Sequence, residues 1–196
     1  MSPKHFANQG SHEEFAKKVV EQTGFCLEGG EDTKGKEVFL QHYFGKYSEP
    51  KLPPSWMIIE VLPITALSKK AFESLQLRED RKRISSEFDL NPEVLQSWVH
   101  AISYVKNLCA HHSRLWNREL TIRPLISKVP KFPVENNSRF FAQACVISFL
   151  LKKVSPQSKW WERFCKLVSD NPFIDPNALG APAGWKPHSE TPMWVA

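Results

Sequence analysis

The signatures of several common protein classes are missing from this 196-residue chain. No stretch of useful length alternates between apolar and polar residues, so the sequence does not predict a β-sheet. The longest apolar run, residues 145–151, contains a serine and is far too short to cross a bilayer, and the first residues lack an apolar signal region. An internal repeat and a glycine-rich phosphate loop are also missing. We therefore expect a cytoplasmic protein without a membrane partner.

Cysteine is scarce as well. The four residues are Cys26, Cys109, Cys145 and Cys165, and no two of them have the C-x-x-C spacing of a zinc or redox site. Each lies in or beside an apolar helical pattern. This placement favours buried free thiols in a reducing compartment over disulfides.

The positive charge of the chain is concentrated in one region. The formal net charge is +5, but residues 1–100 carry 13 Lys and Arg against 15 Asp and Glu, whereas residues 101–170 carry 12 against 4. A localised cationic surface is typical of a protein that binds a polyanion. A solvated basic face without a ligand would give the same count, so charge alone leaves both interpretations open.

Almost every apolar pattern in the chain has helical spacing, which predicts an all-α bundle. The strongest helix begins at Asn91-Pro92-Glu93, where an N-cap, a proline at the first helical position and an acidic residue come in succession. We expect this helix to run to about His112. Further helices are predicted after a capping box at Ser11 and Glu14, around residues 38–47, after Pro54, over residues 67–75 and 81–88, after the caps Asn136 and Asn137, and around residues 161–168.

The pattern divides the chain into three parts. Residues 1–35 are predicted to form an N-terminal helix and a loop rich in glycine and charge, residues 36–170 the helical domain, and residues 171–196 a tail rich in proline and glycine. We expect the tail to pack on the surface of the domain, held by Trp185 and Trp194.

The helix that begins at Pro92 has two different faces. At about 100° per residue, one face is apolar and is centred on Ile102. The opposite face carries a set of hydrogen-bonding groups where Glu, Lys and Gln would be more usual for a solvated surface. The apolar face contains Leu95, Trp98, Val99, Val105 and Cys109, and the opposite face, here called the polar stripe, contains His100, Tyr104, Asn107 and His111.

Two interpretations of the polar stripe are open at this point. A second helix can pack there with its polar contacts satisfied. Alternatively, the stripe lines a groove or a subunit interface where His111 takes and gives protons in phosphodiester cleavage, since histidine titrates near neutral pH. Asn107 then orients the phosphate or the imidazole, and Lys106 at the edge of the stripe neutralises charge in the transition state. With such a set, attack by a ribose 2′-hydroxyl needs no metal ion.

A metal site is a third interpretation, which the spacing disfavours. Adjacent histidines such as His111 and His112 point about 100° apart on a helix, and no second pair of ligands has the spacing of a zinc site. Beyond them, Arg114 and Arg118 would share a face if the helix persists, and both suit contacts with a phosphate backbone. Trp116 is predicted either to be a core residue or to stack on a base.

The segment from Val105 to Arg118 reads Val-Lys-Asn-Leu-Cys-Ala-His-His-Ser-Arg-Leu-Trp-Asn-Arg. It resembles the signature Arg-Asn-x-Cys-Ala-His-His-x-Arg-Leu-Trp-Asn-Arg of the Abi family, the AbiD/AbiF-like abortive infection proteins. Upstream, Pro53-Pro54-Ser55-Trp56 and Glu60 are similar to the family's Pro-Pro-x-Trp-x-x-x-Glu block. Downstream, residues 180–185 and 192–194 are similar to its closing elements, so the resemblance covers about residues 35–196.

The resemblance implies a HEPN-like helical bundle. Many HEPN proteins are metal-independent ribonucleases with an Arg followed a few residues later by a His, and with a composite site formed in a dimer. On that basis His111 is the catalytic histidine, Asn107 is the polar residue after the Arg, and Lys106 stands at the Arg position. The implied function is phage defence by an endoribonuclease without a cofactor, acting on RNA as a homodimer and restrained by an antagonist RNA or protein. The residues then expected to bind RNA are His112, Arg114, Arg118, His100 and Tyr104.

Two features depart from the family pattern. Lys106 lacks the planar guanidinium that binds a phosphate through two hydrogen bonds. Family members also carry an N-terminal region with a Tyr-Tyr-Arg-Leu-type helix. We find no counterpart of that helix in this sequence, which predicts a short or truncated form of the family's protein. Two other hypotheses therefore stand beside the ribonuclease: a non-catalytic RNA-binding or regulatory relative, and a helical protein whose polar stripe serves only dimer packing.

Overall fold

The computed structural model describes residues 9–23, 37–50, 52–64, 66, 78–128, 134 and 136–187. These residues form eight α-helices and no strand, which confirms the predicted all-α class. They group into two compact units, residues 1–78 and 79–196. The helix expected over residues 67–75, together with Cys26 and Trp194, lies outside the described residues, and the three-part division of the chain stays a prediction.

The first unit contains helices α1 (Gln9–Thr23), α2 (Val38–Lys46) and α3 (Ser55–Val61). Helix α1 packs against α3 through Phe15 and Val19, which form a small core with Leu62. The helix begins two residues before the predicted cap, so Ser11 lies inside it. Helices α2 and α3 occur where the apolar spacing and the Pro53-Pro54 pair predict them.

The second unit contains the rest of the helices: α4 (Arg78–Ser86), α5 (Pro92–Ala110), α6 (Phe140–Val154), α7 (Trp160–Ser169) and α8 (Pro176–Leu179). Helix α6 packs against both α5 and α7, and its residues from Phe141 to Val146 are buried. Asn91 and Pro92 begin α5 as predicted, with Glu93 in its first turn. Trp98 of α5 is completely buried, and its ring meets that of Phe149 edge to face at 5.4 Å.

The part of the tail that the structure describes packs on this unit. The ring of Trp185 lies 4.9 Å from that of Phe141 and 6.3 Å from those of Trp161 and Phe164. Trp185 therefore packs on aromatic side chains of α6 and α7. Gly180 ends α8 with a φ of 87°, and a Cβ added there would lie 2.4 Å from Cβ of Arg139.

The apolar face of α5 differs from the prediction. Cys109 is exposed, whereas Leu108 is buried, and Val99 and Ile102 are only half-buried. Ala101 and Ser103 are buried too, which shifts the core face away from Ile102. The expectation of buried thiols holds for Cys145 and Cys165, where burial raises the pKa of each thiol, but it is wrong for Cys109.

The helices of the described residues are all too short or too polar to span a bilayer.

Candidate functional site

Helix α5 ends at Ala110, and two consecutive histidines turn the chain away from it. His111 caps the helix, while His112 adopts a left-handed conformation with a φ of 51°. The backbone N–H of His112 donates to the carbonyl oxygen of Cys109. The backbone N–H of Ser113 donates to the carbonyl oxygen of Leu108 at 2.8 Å. These two bonds define a Schellman motif, whose left-handed position is usually glycine because other residues lose about 1–2 kcal/mol there. The helix therefore does not persist, so the condition under which Arg114 and Arg118 would share a helix face is not met.

Residues 111–128, here called the return segment, run back along α5 in the opposite direction. Leu120 is fully buried against Val105 and Leu108, near the end of the helix. Further on, the backbone N–H of Leu125 donates to Oγ of Ser97, and Nε1 of Trp98 donates to the carbonyl oxygen of Leu125, both at 2.9 Å. The return segment thus reaches the level of the second turn of α5.

Residues just before α6 and in its first turn hold the return segment from its other side. Nδ2 of Asn137 donates to the carbonyl oxygen of Pro124 at 2.7 Å, and Nε2 of the fully buried Gln143 donates to that of Ile122 at 3.0 Å. The N–H of Leu120 donates to the carbonyl oxygen of Ser138 at 2.7 Å. Asn137 was expected to cap α6, but Arg139 occupies the cap position and Asn137 binds the return segment instead.

The environment of Tyr104, a residue of the polar stripe, includes side chains of the return segment. Tyr104 packs against the buried cluster of Val105, Leu108 and Leu120. The hydrogen bond with Thr121, followed by the positive charge of Arg118, lowers the pKa of Tyr104 below its ordinary value, although partial burial opposes the shift. Tyr104 and Arg118 are both half-buried. The structure therefore joins two of the residues that the sequence assigned to RNA contact.

Lys106, Asn107 and His111, the predicted catalytic residues, all present exposed side chains. Within the described part of the chain, none of the three side chains makes a hydrogen bond or an ion pair. A packed partner helix that satisfies Asn107 and His111 is therefore not found among these residues. An imidazole and an amide that are open to solvent can both act on a bound molecule.

The other predicted contact residues occupy different positions. His112 and Arg114 are exposed, and His100 is half-buried. Arg139 fixes the turn at Asn117. Its Nη1 donates to Oδ1 of Asn117 at 3.0 Å, and its Nη2 lies 4.0 Å from Oε1 of Glu119. Asn117 has a φ of 48°, a second left-handed residue of the return segment.

Leu115 and Trp116 border an apolar cavity of about 410 Å³ within the second unit. Trp116 is half-buried and its Nε1 is shielded from solvent without a hydrogen-bond partner, which supports the prediction of a core residue. Exposed Arg163 is the cavity's charged residue. The full lining comprises Leu115, Trp116, Phe140, Trp160, Arg163, Phe164, Leu167, Val168, Ile174 and Leu179.

A family comparison agrees with the position of the motif. The model of the Abi-like protein family matches residues 2–117, more than half of the chain. The chain belongs to the Abi-like protein family. The match begins well before residue 35 and ends at Asn117, so it includes the polar stripe and leaves the resemblance of the tail outside. No curated protein and no solved structure matches the chain.

Membership of the Abi-like family supports a role in abortive infection, a defence against phage. The residues that surround the motif in this Abi-like chain include several that the sequence did not reveal. Arg139, for example, binds Asn117 of the motif from 22 residues further along the chain, a contact across the fold that a sequence pattern does not express. Among the described residues, no cluster of three His, Cys, Asp or Glu side chains is arranged to hold a metal ion.

Proposed function

We propose that this Abi-like protein defends against phage as a HEPN-like, metal-independent endoribonuclease. The observation that carries the proposal is the position of His111, whose exposed and unbonded imidazole lies at the end of α5 on the same face as Asn107. The surrounding region, residues 101–170, holds 12 Lys and Arg against 4 Asp and Glu, which favours a polyanionic substrate. Since RNA carries its own nucleophile in the 2′-hydroxyl, cleavage requires only proton transfer and charge stabilisation.

In the proposed reaction, the imidazole of His111 removes the proton from a ribose 2′-hydroxyl. The 2′-oxygen bonds to the adjacent phosphorus, the bond from phosphorus to the 5′-oxygen breaks, and a second imidazole donates a proton to that oxygen. One chain presents one such histidine at the end of α5, so a homodimer that contributes the partner subunit's His111 completes the acid–base pair. The products are a 2′,3′-cyclic phosphate and a 5′-hydroxyl.

The remaining residues of the site have binding roles in this proposal. Asn107 orients the phosphate, and Lys106 neutralises charge in the transition state. His112 and Arg114 are exposed beyond the helix end and suit contacts with the RNA backbone, as do Arg118, His100 and Tyr104 along α5. A nuclease of this kind acts on RNA in the cytoplasm and requires restraint by an antagonist RNA or protein.

A second function is favoured by one observation, the lysine at position 106. Its ammonium binds a phosphate as a point charge, without the two parallel hydrogen bonds of a guanidinium. A protein that keeps the basic surface but loses this contact can bind RNA without cleaving it. The alternative is therefore a non-catalytic RNA-binding or regulatory Abi-like protein.

The decisive experiment incubates the purified full-length protein with total RNA, with and without EDTA. We expect fragments that end in 2′,3′-cyclic phosphate and 5′-hydroxyl groups, undiminished by EDTA and lost in His111→Ala. His42→Ala is the matched control, because His42 is an exposed histidine of helix α2 and takes no part in the proposed site.

Three results would redirect the proposal. RNA binding that weakens with salt but gives no fragments would support the non-catalytic alternative. Cleavage that persists in His111→Ala would remove His111 from the chemistry. A strict monomer at micromolar concentration, measured by sedimentation during active cleavage, would contradict the composite site.

A further inference from the structure

The apolar cavity of the second unit takes no part in the proposed cleavage of RNA. Its volume is about 410 Å³, and side chains of the return segment, α6, α7 and α8 line it. An apolar cavity of roughly 150 Å³ already holds benzene, and ligand sites in proteins measure about 300–1,000 Å³. The cavity therefore has the size and the lining of a site for a small, largely apolar molecule.

The lining of the cavity combines buried and exposed residues. Phe164, Val168 and Leu179 are buried, and an apolar group that contacts them is removed from water. Arg163 and Leu167 of α7 are exposed, and these two residues are here called the rim. A ligand can therefore place an apolar group against the buried residues while a charged group stays at the rim.

Two hydrogen-bond donors of the lining have no acceptor within the described part of the chain. Nε1 of Trp116 is shielded from solvent and makes no hydrogen bond there, which costs free energy because the N–H has lost water without gaining a partner. The guanidinium of Arg163 makes neither a hydrogen bond nor an ion pair with the described residues. The lining given by these residues includes no acidic side chain. The polar groups of the cavity therefore favour a ligand that carries acceptor oxygens and a negative charge.

The cavity is distinct from the polar stripe of α5. Leu115 and Phe140 line it and also pack against the buried cluster near the end of α5. This cluster consists of Val105, Leu108 and Leu120. None of the polar-stripe residues belongs to the described lining, so a ligand of the cavity need not be RNA.

We propose that this cavity binds a small amphipathic carboxylate. The apolar chain or ring of the ligand lies against the buried residues, and its carboxylate accepts hydrogen bonds from Arg163 at the rim. The indole N–H of Trp116 is the second donor to the same ligand. Burial of the apolar part supplies most of the affinity, while the two donors select a ligand with an anionic group over a neutral one.

The test is calorimetric titration of the purified full-length chain with octanoate, and with 1-octanol as a neutral probe of the same length. We expect one octanoate to bind per chain. Hexanoate, heptanoate and octanoate should bind with affinities that rise about 4-fold for each added methylene, the gain for burying that group. Because the readout is binding, the result does not depend on whether the protein cleaves RNA.

Arg163→Gln tests the contact with the carboxylate. Since Arg163 is exposed, we expect the affinity for octanoate to fall about 2- to 5-fold, less at high salt, and the affinity for 1-octanol to stay the same. Lys166→Gln is the matched control, because Lys166 is an exposed cation of the same helix that lies outside the described lining and pairs with Asp170 at 2.9 Å. Equal losses for octanoate and 1-octanol in Arg163→Gln would overturn the contact with the charge.

Trp116→Phe tests the second donor, since phenylalanine keeps an aromatic ring and lacks the N–H. We expect the affinity for octanoate to fall about 10-fold, the effect of losing a hydrogen bond to a charged group. Trp185→Phe is the control, because Trp185 also has a buried Nε1 without a partner among the described residues but lies outside the described lining.

Three results would overturn the proposal. One is the lack of saturable octanoate binding to the wild type. Another is weak binding at several sites per chain, which indicates adsorption to exposed apolar side chains. The third is an octanoate affinity that neither Arg163→Gln nor Trp116→Phe changes, which places the bound molecule elsewhere on the chain.

Discussion

Helix α5 and the return segment lie side by side and are stabilised in different ways. Backbone hydrogen bonds within helix α5 run from the carbonyl oxygen of Asn91, which accepts from Leu95, to the Schellman motif at His112. The return segment has no helix, and side chains of α5, of α6 and of Asn137, which precedes α6, bind its backbone at Ile122, Pro124 and Leu125. The same physical requirement, that buried polar groups be paired, is met locally in one case and by distant residues in the other.

This difference determines how each part depends on the rest of the fold. Helix α5 can begin and end by its own sequence, whereas the return segment takes its path from Ser97, Trp98, Asn137 and Gln143. Since the return segment carries His112, Arg114 and Arg118, three of the five residues predicted to contact RNA rely on residues outside the motif. Substitutions at those residues should therefore show how far the return segment depends on contacts that helix α5 does not need.

Trp98→Ala should have the largest effect on the free energy of unfolding. The change removes a fully buried ring from the α5–α6 core and also the bond to the carbonyl oxygen of Leu125. We expect the free energy of unfolding to fall by about 3–5 kcal/mol in chemical denaturation. Trp98→Phe, which keeps an aromatic ring and loses the donor, should cost about 1–3 kcal/mol. A Trp98→Ala variant as stable as the wild type would show that this link does not stabilise the unit.

Gly180→Ala should have the next largest effect. An added Cβ meets that of Arg139 at 2.4 Å, and alanine is strained at a φ of 87°. Because Arg139 holds Asn117 of the return segment, the clash should disturb that turn and cost about 2–4 kcal/mol of unfolding free energy. Gly184→Ala is the matched control, with a φ of 76° and no atom within 4 Å, so its cost should be only about 1–2 kcal/mol. Equal costs for the two variants would contradict the close approach to Arg139.

His112→Gly should have the smallest effect, and in the opposite direction. Glycine adopts the left-handed conformation of this position without steric strain, so the variant should gain up to about 1 kcal/mol of stability. The neighbouring change His111→Gly, at a φ of −94°, should instead cost about 0.5–1 kcal/mol. Thermal unfolding of both variants measures the contrast, and a loss of stability in His112→Gly would indicate that the imidazole makes contacts that outweigh the strain.

Sequence reasoning described α5 well up to its end. Asn91-Pro92-Glu93 fixed the beginning of the helix, and the polar stripe was read from helical spacing alone. The end, predicted at about His112, lies two residues earlier at Ala110, and the reversal of the chain was missed because a histidine in the left-handed conformation gives no signal of the kind that a glycine gives. The core face was misjudged at Cys109 and Leu108 because Leu120 of the return segment covers Leu108.

The sequence by itself determined the helical class, the position of α5, the stripe from His100 to His111 and the family to which the motif belongs. These properties follow from spacing and residue type within a single helix, where neighbours in the chain are neighbours in space. Only the tertiary structure decided that the chain reverses at His112 and packs Leu120 against Val105, Leu108 and Tyr104. The path of that reversal depends on hydrogen bonds and burial between residues far apart in sequence, which no local pattern encodes.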